Sequence, residues 1–242
     1  MTRCAPVERG RVSDARDERA RAMSGSVQIP MWLDVTAVFV GAVQGAMMTL
    51  HPPRSRPPMA ISGVVVIAIV MGMGGGIVRD LLLVRTPLAL QSNWYLAAAL
   101  VAVVATWLVF RELRRARVLI TTFDGLSLAM YTGLGAFAAE QAGLAELGVI
   151  LVGTLAGVGG SFVRDLLLTE IPGIMRPGEI YGIAAAATSV AFVVLEPTGL
   201  DTWTRFVGAT TLGFSIRMLT VWRGWEVPAA RPLMAPDDDD IE

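Results

Sequence analysis

The chain has 242 residues, of which 54% are hydrophobic and 17% are charged, and its formal net charge is −1. One cysteine and one histidine, Cys4 and His51, exclude an intrachain disulfide, a cysteine cluster and a metal site built from several histidines. The balanced charge is not that of a nucleic-acid-binding protein. All 20 basic residues are arginine, so a lysine-containing ATP-binding loop is also excluded. We predict a protein that is not an enzyme and that holds neither a cofactor nor a metal.

Long apolar blocks occupy most of the chain. Residues 1–30 are polar, and we expect a disordered extension there, with Met23 or Met31 as alternative starts. The blocks that follow have the length a helix needs to cross a bilayer. They cover approximately 31–50, 59–84, 94–110, 118–139, 143–168, 180–195 and 203–221. This pattern predicts an all-α membrane protein with seven transmembrane helices, followed by an acidic, solvated tail at 226–242.

Two stretches of ten residues nearly repeat each other. Residues 74–83 read GGGIVRDLLL and residues 159–168 read GGSFVRDLLL, so eight of ten positions agree at an offset of 85. We predict two homologous three-helix repeats, 31–113 and 118–197, followed by a seventh helix at 201–222. Because each repeat crosses the membrane an odd number of times, the second repeat is inverted relative to the first. Inverted repeats with interrupted helices are a recurring transporter design.

Each copy of the motif places small residues in the middle of a predicted span. Glycine costs about 1 kcal/mol relative to alanine inside a helix, so matching clusters predict a required feature. We expect kinks in the second and fifth spans, where freed carbonyls can coordinate a cation. Close helix packing through small residues is the alternative. The candidate positions are Gly74, Gly75, Gly76, Gly159, Gly160 and Ser161.

An Arg-Asp pair follows each cluster, as Arg79-Asp80 and Arg164-Asp165. A charge inside a bilayer costs about 2.5–3.5 kcal/mol on insertion scales, and it usually faces a cavity or a partner. Neighbouring residues on a helix point about 100° apart, which disfavours pairing within each motif. We therefore expect pairs across the repeats, Arg79 with Asp165 and Arg164 with Asp80. The alternative is that each arginine extends to the membrane surface and caps its helix end.

Two further aspartates, Asp34 and Asp124, lie near the starts of the first and fourth spans. Aspartate is a good helix N-cap, so capping is one interpretation. The other is a pair of anionic pore mouths, one at each end of a cation path. Arginines are more frequent in the loops that share a side with the C-terminus. The positive-inside rule then predicts a multi-pass protein of the inner (plasma) membrane, with its N-terminus outside and its C-terminus in the cytoplasm.

The duplicated G-G-x-x-V-R-D motif, set in three-plus-three inverted spans with a seventh helix, resembles the prokaryotic branch of the TRIC family. These are the trimeric intracellular cation channels, and their bacterial sequences carry the domain label "glycine transporter". The resemblance covers about residues 31–221. It implies a homotrimer with one pore per protomer, lined by spans one, two, four and five. It also implies permeation of monovalent cations, chiefly K⁺, and bound membrane lipid.

The predicted function is therefore a passive K⁺-permeable channel. A secondary transporter of a small amino acid such as glycine is the alternative, and a structural scaffold is a third. Paired charges and paired glycine clusters are costly for anchoring alone, which favours transport. A carrier needs a site for both ammonium and carboxylate, whereas a channel needs a continuous wet path. The sequence does not decide between these two, since the Arg-Asp motifs suit either.

Overall fold

The computed structural model of the chain describes residues 29–50, 58–110, 116–176 and 180–225. Throughout these ranges the regular secondary structure is helical. The polar extension before residue 29, the loop with Arg54 and Arg56, and the acidic tail lie outside the described residues, as does most of the arginine-rich linker after residue 110.

Seven long helices account for most of the described residues. In chain order they are α1 (Met31–Leu50), α2 (Ile61–Leu82), α4 (Asn93–Phe110), α5 (Ala116–Gln141), α6 (Glu146–Leu167), α7 (Tyr181–Val194) and α8 (Thr202–Arg223). A single turn of helix, α3 (Leu88–Gln91), precedes α4, and two 3₁₀ turns, Gly173–Met175 and Glu196–Thr198, flank α7. The long helices coincide with the seven apolar blocks, within a few residues at each end.

Within the described ranges, four helical segments are long and apolar enough to cross a membrane. These segments are Met31–Leu50, Ile61–Leu82, Glu146–Leu167 and Tyr181–Thr198, and a shorter apolar helix covers Asn93–Val109. The other two long helices are less apolar because they carry charged residues, such as Asp124 in α5 and Arg217 in α8. The fold is thus that of an all-helical membrane protein.

The helices form two groups of three. In the first group α1, α2 and α4 pack on one another, and in the second α5, α6 and α7 do the same. The groups meet where α2 packs on α6 and α1 on α5, and α8 covers α5 and α7. The buried core runs along these contacts, with Val43, Met47 and Phe137 among its largest fully buried side chains. The middle of the molecule is therefore built from α1, α2, α5 and α6.

The surface is apolar where a soluble protein would be polar. The outer side of α4 exposes 42% of Leu100, 55% of Val104 and 66% of Leu108, whereas Arg79 and Asp80 are fully buried in the bundle. Large exposed apolar faces mark contact with lipid or with another protein. Intramembrane charges normally face the interior of the bundle, as these do. The distribution matches a chain that spans a bilayer.

The helices α2 and α6 run without interruption through the glycine clusters that the sequence singles out. The unwound segment that the clusters suggested is not present there. Each helix instead ends just after its Arg-Asp pair, at Leu83 and Leu168, whose amides donate to the carbonyls of the two arginines. A bend that preserves the helical hydrogen bonds remains a prediction.

Candidate functional site

A buried ion cluster joins α1 to the end of α2. The guanidinium of Arg79 donates to both carboxylate oxygens of Asp34, with Nη1–Oδ1 at 2.8 Å and Nη2–Oδ2 at 3.0 Å. Its Nε donates to Oδ1 of Asp80 at 2.8 Å. The Tyr95 hydroxyl, from α4, donates to Asp34 over 3.3 Å. Because Arg79 is fully buried, its guanidinium has no hydration shell. The two carboxylates supply the hydrogen bonds that water would otherwise make, and they neutralise its charge.

Asp80 is also tied to the segment that follows α2. It accepts a hydrogen bond from Nη2 of Arg85 at 2.6 Å and another from the amide of Leu88 at 2.7 Å. Between them the chain turns through Val84, which has a left-handed backbone with φ of 53°. Non-glycine residues rarely adopt this conformation. The carboxylate therefore anchors a tight turn as well as an arginine.

The second motif, at the end of α6, repeats part of this arrangement. The Arg164 guanidinium donates to Oδ1 of Asp165, with Nε at 2.8 Å, and the amide of Gly173 donates to Oδ2 at 2.8 Å. The chain turns through Thr169 with φ of 54°. Nη1 of Arg164, however, points at the thioether of Met48, 3.0 Å away, which is a weak acceptor. This guanidinium thus has unused donor capacity.

Asp124 of α5 pairs with a residue outside the two motifs. It accepts from Nη2 of Arg217, in α8, at 3.0 Å, and from the side-chain amide of Gln44, in α1, at 2.5 Å. Gln44 is 1% exposed, and its Oε1 has no hydrogen-bond partner among the residues that the structure describes. The Arg217 guanidinium also lies 4.9 Å from the centre of the Tyr181 ring.

A polar cavity of about 170 Å³ opens beside this second cluster. It is large enough for several water molecules. Its lining includes Gln44, Asp124, Ser161, Arg164, Asp165 and Arg217. These side chains combine three kinds of group: guanidinium donors, carboxylate acceptors and neutral oxygens. The cavity can therefore hold a hydrated ion or a small polar molecule within the bundle.

The arginines do not pair across the repeats as the sequence suggested. Arg79 pairs with Asp34 and Asp80, and Arg164 pairs with Asp165. The expectation failed because a guanidinium on a long, flexible stem bends back to its neighbouring carboxylate. The 100° between adjacent helical positions is no obstacle to that contact. Each motif is consequently neutralised within its own group of three helices.

Neither aspartate near the predicted pore mouths is freely exposed. Asp34 is 2% exposed and is bound by Arg79, so its carboxylate is not open to solvent. Asp124 lies in the third turn of α5 rather than at its start, and it lines the cavity. N-capping is therefore not the role of Asp124. The predicted role of Asp124 at a pore mouth remains a prediction.

The glycine clusters bring α2 and α6 into backbone contact. A Cβ atom added to Gly74 would lie 2.8 Å from the Cα of Gly160, and one added to Gly75 would lie 2.6 Å from the carbonyl oxygen of Ala156. A Cβ atom added to Gly159 would lie 2.8 Å from the side chain of Val78. Real side chains do not sit this close to backbone atoms. Close packing of the two helices is thus one role of these glycines.

A tyrosine of α5 reaches into the same contact. The hydroxyl of Tyr131 donates to the carbonyl oxygen of Gly72, and its ring lies against Gly75. Tyr131 is 2% exposed. The sequence singled out neither this bond nor Arg217, although a charge within a predicted span requires a partner. It also missed the partly buried pair of Arg205 with Glu140, where Nη1 and Oε1 are 2.8 Å apart.

In the part of the chain that the structure describes, no group of three or more histidine, cysteine or acidic side chains can hold a metal ion. The site instead consists of two neutralised ion clusters, one sealed and one beside a polar cavity, inside a bundle with an apolar surface. This combination defines a multi-pass helical membrane protein with polar groups enclosed in its interior.

The chain belongs to the family described as "Glycine transporter", which matches residues 31–111 and 121–197. It is 36% identical over 168 residues to a UPF0126 membrane protein of Deinococcus radiodurans, covering 69% of this chain and 76% of the relative. It is 32% identical over 155 residues to the UPF0126 inner membrane protein YadS of Escherichia coli K12, covering 63% and 72%.

A solved structure has the same fold. The TRIC trimeric intracellular cation channel orthologue from Rhodobacter sphaeroides superposes with a TM-score of 0.69 and 32% identity, over 80% of this chain and 97% of that one. The resemblance to prokaryotic TRIC channels is thereby confirmed, and this solved relative is a cation channel rather than an enzyme.

Proposed function

We propose that this protein is a passive channel for monovalent cations, chiefly K⁺, with one pore in each protomer of a homotrimer. The observation that carries the proposal is the cavity beside Asp124, which is lined by charged and polar side chains and opens into a bundle whose outer face is apolar. An apolar exterior with a polar, hydrated interior is what a conduction path requires. The similarity to a trimeric cation channel orthologue, at 32% identity, supports the same function and assembly.

The proposed pore runs between α1, α2, α5 and α6, the helices at the centre of the molecule. Its narrowest part lies where α2 packs on α6, at the level of the two small-residue clusters Gly74, Gly75, Gly76 and Gly159, Gly160, Ser161. In this proposal the two motifs belong to inverted repeats, 31–113 and 118–197, and all seven long helices cross the membrane. The two buried ion clusters then lie toward opposite ends of the pore. A bend of α2 and α6 at the glycines would widen the path.

The proposed location is the inner (plasma) membrane, with the N-terminus outside and the C-terminus in the cytoplasm. The name of the Escherichia coli relative, an inner membrane protein, supports this location. In this orientation the cavity faces the cytoplasm, together with Arg176 and Arg223. The exposed apolar faces of the helices would contact membrane lipid and the neighbouring protomers.

Single-channel recording in planar bilayers tests the proposal. The purified protein should give resolved unitary currents in KCl. Asp124→Asn should reduce the unitary conductance, because it removes a carboxylate from the cavity lining. Glu146→Gln is the matched control: it makes the same charge change at an exposed residue of α6, and it should conduct as the parent does. Absence of unitary currents from folded protein would refute channel function.

A carrier for a small zwitterion such as glycine is the second candidate. One observation favours it: Arg164 and Asp124 line the same cavity, so a carboxylate and an ammonium group can be held together there. Vesicles loaded with glycine provide the test. Saturable exchange of labelled glycine, without unitary currents in KCl, would support the carrier, whereas currents without exchange would support the channel.

A further inference from the structure

The two ion clusters are built on equivalent positions but are differently paired. Gly45 follows Asp34 by eleven residues, and Gly135 follows Asp124 by eleven. The two glycines make the same kind of backbone contact. A Cβ atom on Gly45 would lie 3.0 Å from the Cα of Ala68 in α2, and one on Gly135 would lie 2.9 Å from the Cα of Gly153 in α6.

Ala68 and Gly153 are 85 residues apart, as are Arg79 and Arg164. Asp124 therefore occupies, relative to Arg164, the place that Asp34 occupies relative to Arg79.

The aromatic partners correspond in the same way. Tyr95, at the start of α4, contacts the Asp34 carboxylate, and Tyr181, at the start of α7, lines the cavity beside Asp124. The same parts thus surround both sites, except that α8 covers only the second group of three helices.

The difference lies in the arginine that each aspartate selects. In the first cluster Asp34 holds Arg79 through two hydrogen bonds, and both residues are sealed from solvent. In the second cluster Asp124 pairs with Arg217 of α8, and Arg164 is left with Asp165 and a thioether. Asp124 and Arg164, the two groups that would otherwise form the second bidentate pair, both line the cavity.

We infer that Arg217 keeps the cavity open by holding Asp124 away from Arg164. Arg217 is itself fixed, since its guanidinium packs on the Tyr181 ring, and such contacts are favourable when they are desolvated. Asp124 is 8% exposed, so without Arg217 its carboxylate would be left with an amide as its partner. A buried, uncompensated charge is strongly unfavourable.

Arg164, which lines the same cavity, can compensate that charge. Nη1 of Arg164 gains a strong acceptor if it leaves the sulfur of Met48 for the Asp124 carboxylate. That movement would rebuild the sealed arrangement of the first cluster and would fill the cavity. Arg217 is therefore a positioning residue: it acts on the path through Asp124. The consequence for conduction rests on the proposed function, but the state of the cavity does not.

Thiol accessibility tests the inference without any need for conduction. In a Cys4→Ser background, Ser161→Cys places a single thiol on the cavity wall, and a water-soluble methanethiosulfonate reagent reports its exposure. We expect Arg217→Gln to slow labelling about tenfold or more, as when an open state falls to a minor population. Arg217→Lys, which retains the cation, should restore most of the rate.

Controls separate this effect from loss of charge or of fold. Arg223→Gln removes an exposed arginine from the same helix, and its labelling rate should equal that of the parent. Adding Asp124→Asn to Arg217→Gln should restore the rate, because Arg164 then has no carboxylate to approach. An unchanged rate in folded Arg217→Gln overturns the inference. If Arg217→Gln does not fold, Asp124→Asn alone must label at the parent rate, and slower labelling overturns it.

Conductance distinguishes this inference from the proposed function. If Arg217→Gln slows labelling but the parent shows no unitary currents, the cavity is controlled by Arg217 in a protein that is not a channel. If the parent conducts and Arg217→Gln neither slows labelling nor lowers conductance, the channel stands and Arg217 has no part in it.

Discussion

Gly74 of α2 and Gly160 of α6 bring two helix backbones so close that a Cβ on Gly74 would lie 2.8 Å from the Cα of Gly160. In a membrane, where lipid competes equally for apolar side chains, such close approach is a main source of helix association. The contact places the two Arg-Asp motifs at the ends of a pair of crossing helices. Because of this contact, larger side chains should not fit in the middle of the bundle. Substitutions at two neighbouring glycines test this.

Gly75→Ala should destabilise the protein, whereas Gly76→Ala should not. The added methyl at Gly75 would lie 2.6 Å from a carbonyl oxygen of α6, and overpacking of this kind costs about 1–3 kcal/mol. At Gly76 the nearest atoms are 3.7 Å away, an ordinary contact, and alanine is the better helix former. Thermal unfolding in detergent measures both variants. Equal melting temperatures would contradict the close packing of α2 on α6.

Arg79→Gln should be far more damaging than Arg85→Gln, although both arginines pair with Asp80. Removing Arg79 leaves the Asp34 carboxylate buried and unpaired, which costs about 3–5 kcal/mol. The Arg85 side chain is 38% exposed, and an exposed pair contributes about 1 kcal/mol or less. The free energy of unfolding in detergent gives both values.

The partner of Arg79 can be identified by a second substitution. Adding Asp34→Asn to Arg79→Gln should recover part of the lost stability, because the uncompensated carboxylate is then gone. Adding Asp165→Asn should give no such recovery, since Asp165 pairs with Arg164. Recovery with Asp165→Asn would instead support the pairing of Arg79 with Asp165 that the sequence suggested.

Tyr131→Phe should lower the free energy of unfolding by about 1 kcal/mol, the net contribution of a buried hydrogen bond. Its hydroxyl donates to Gly72 within the α2–α6 contact. Tyr95→Phe is the control, because the Tyr95 hydroxyl lies 3.3 Å from Asp34, longer than a strong O–H···O bond. In Tyr95→Phe, Asp34 also retains its ion pair with Arg79. A larger effect from Tyr95→Phe would show that the Gly72 bond contributes little.

The start of α8 should depend on pH through Asp201. This N-cap carboxylate accepts hydrogen bonds from the amide of Thr204 at 3.0 Å and from its hydroxyl at 2.6 Å. These bonds lower the pKa of Asp201 below its ordinary value. Because the folded-state pKa is lower than the unfolded one, the cap stabilises the helix above the unfolded pKa, about 3.9, and is lost as the pH falls through the folded value.

Amide hydrogen exchange at Thr204 measures this loss. Protection in the parent should fall as acid protonates Asp201. Asp201→Asn retains the cap but does not titrate, so its protection should follow a flatter pH profile. If the protection of the Thr204 amide has the same pH dependence in both proteins, Asp201 is not the cause of that dependence.

The sequence predicted the helices well because their signals are local. Blocks of about twenty apolar residues give α1, α2 and α6 almost to their ends, since the bilayer fixes the length of a span. The repeated Arg-Asp motif correctly marked the charges that the bundle must enclose. Their partners could not be read in the same way, because a flexible guanidinium can reach several carboxylates and only the packed helices select among them.

The amino-acid order alone therefore determined an all-helical membrane protein with two matching motifs, because length and hydropathy are properties of each segment by itself. The tertiary structure decided what those motifs do. It turned the glycines into a helix–helix contact and kept the ion pairs of each motif arginine within its own group of helices. It also paired Asp124 with Arg217 of α8 instead of with Arg164. The energy of a buried charge depends on which partner lies within hydrogen-bonding distance.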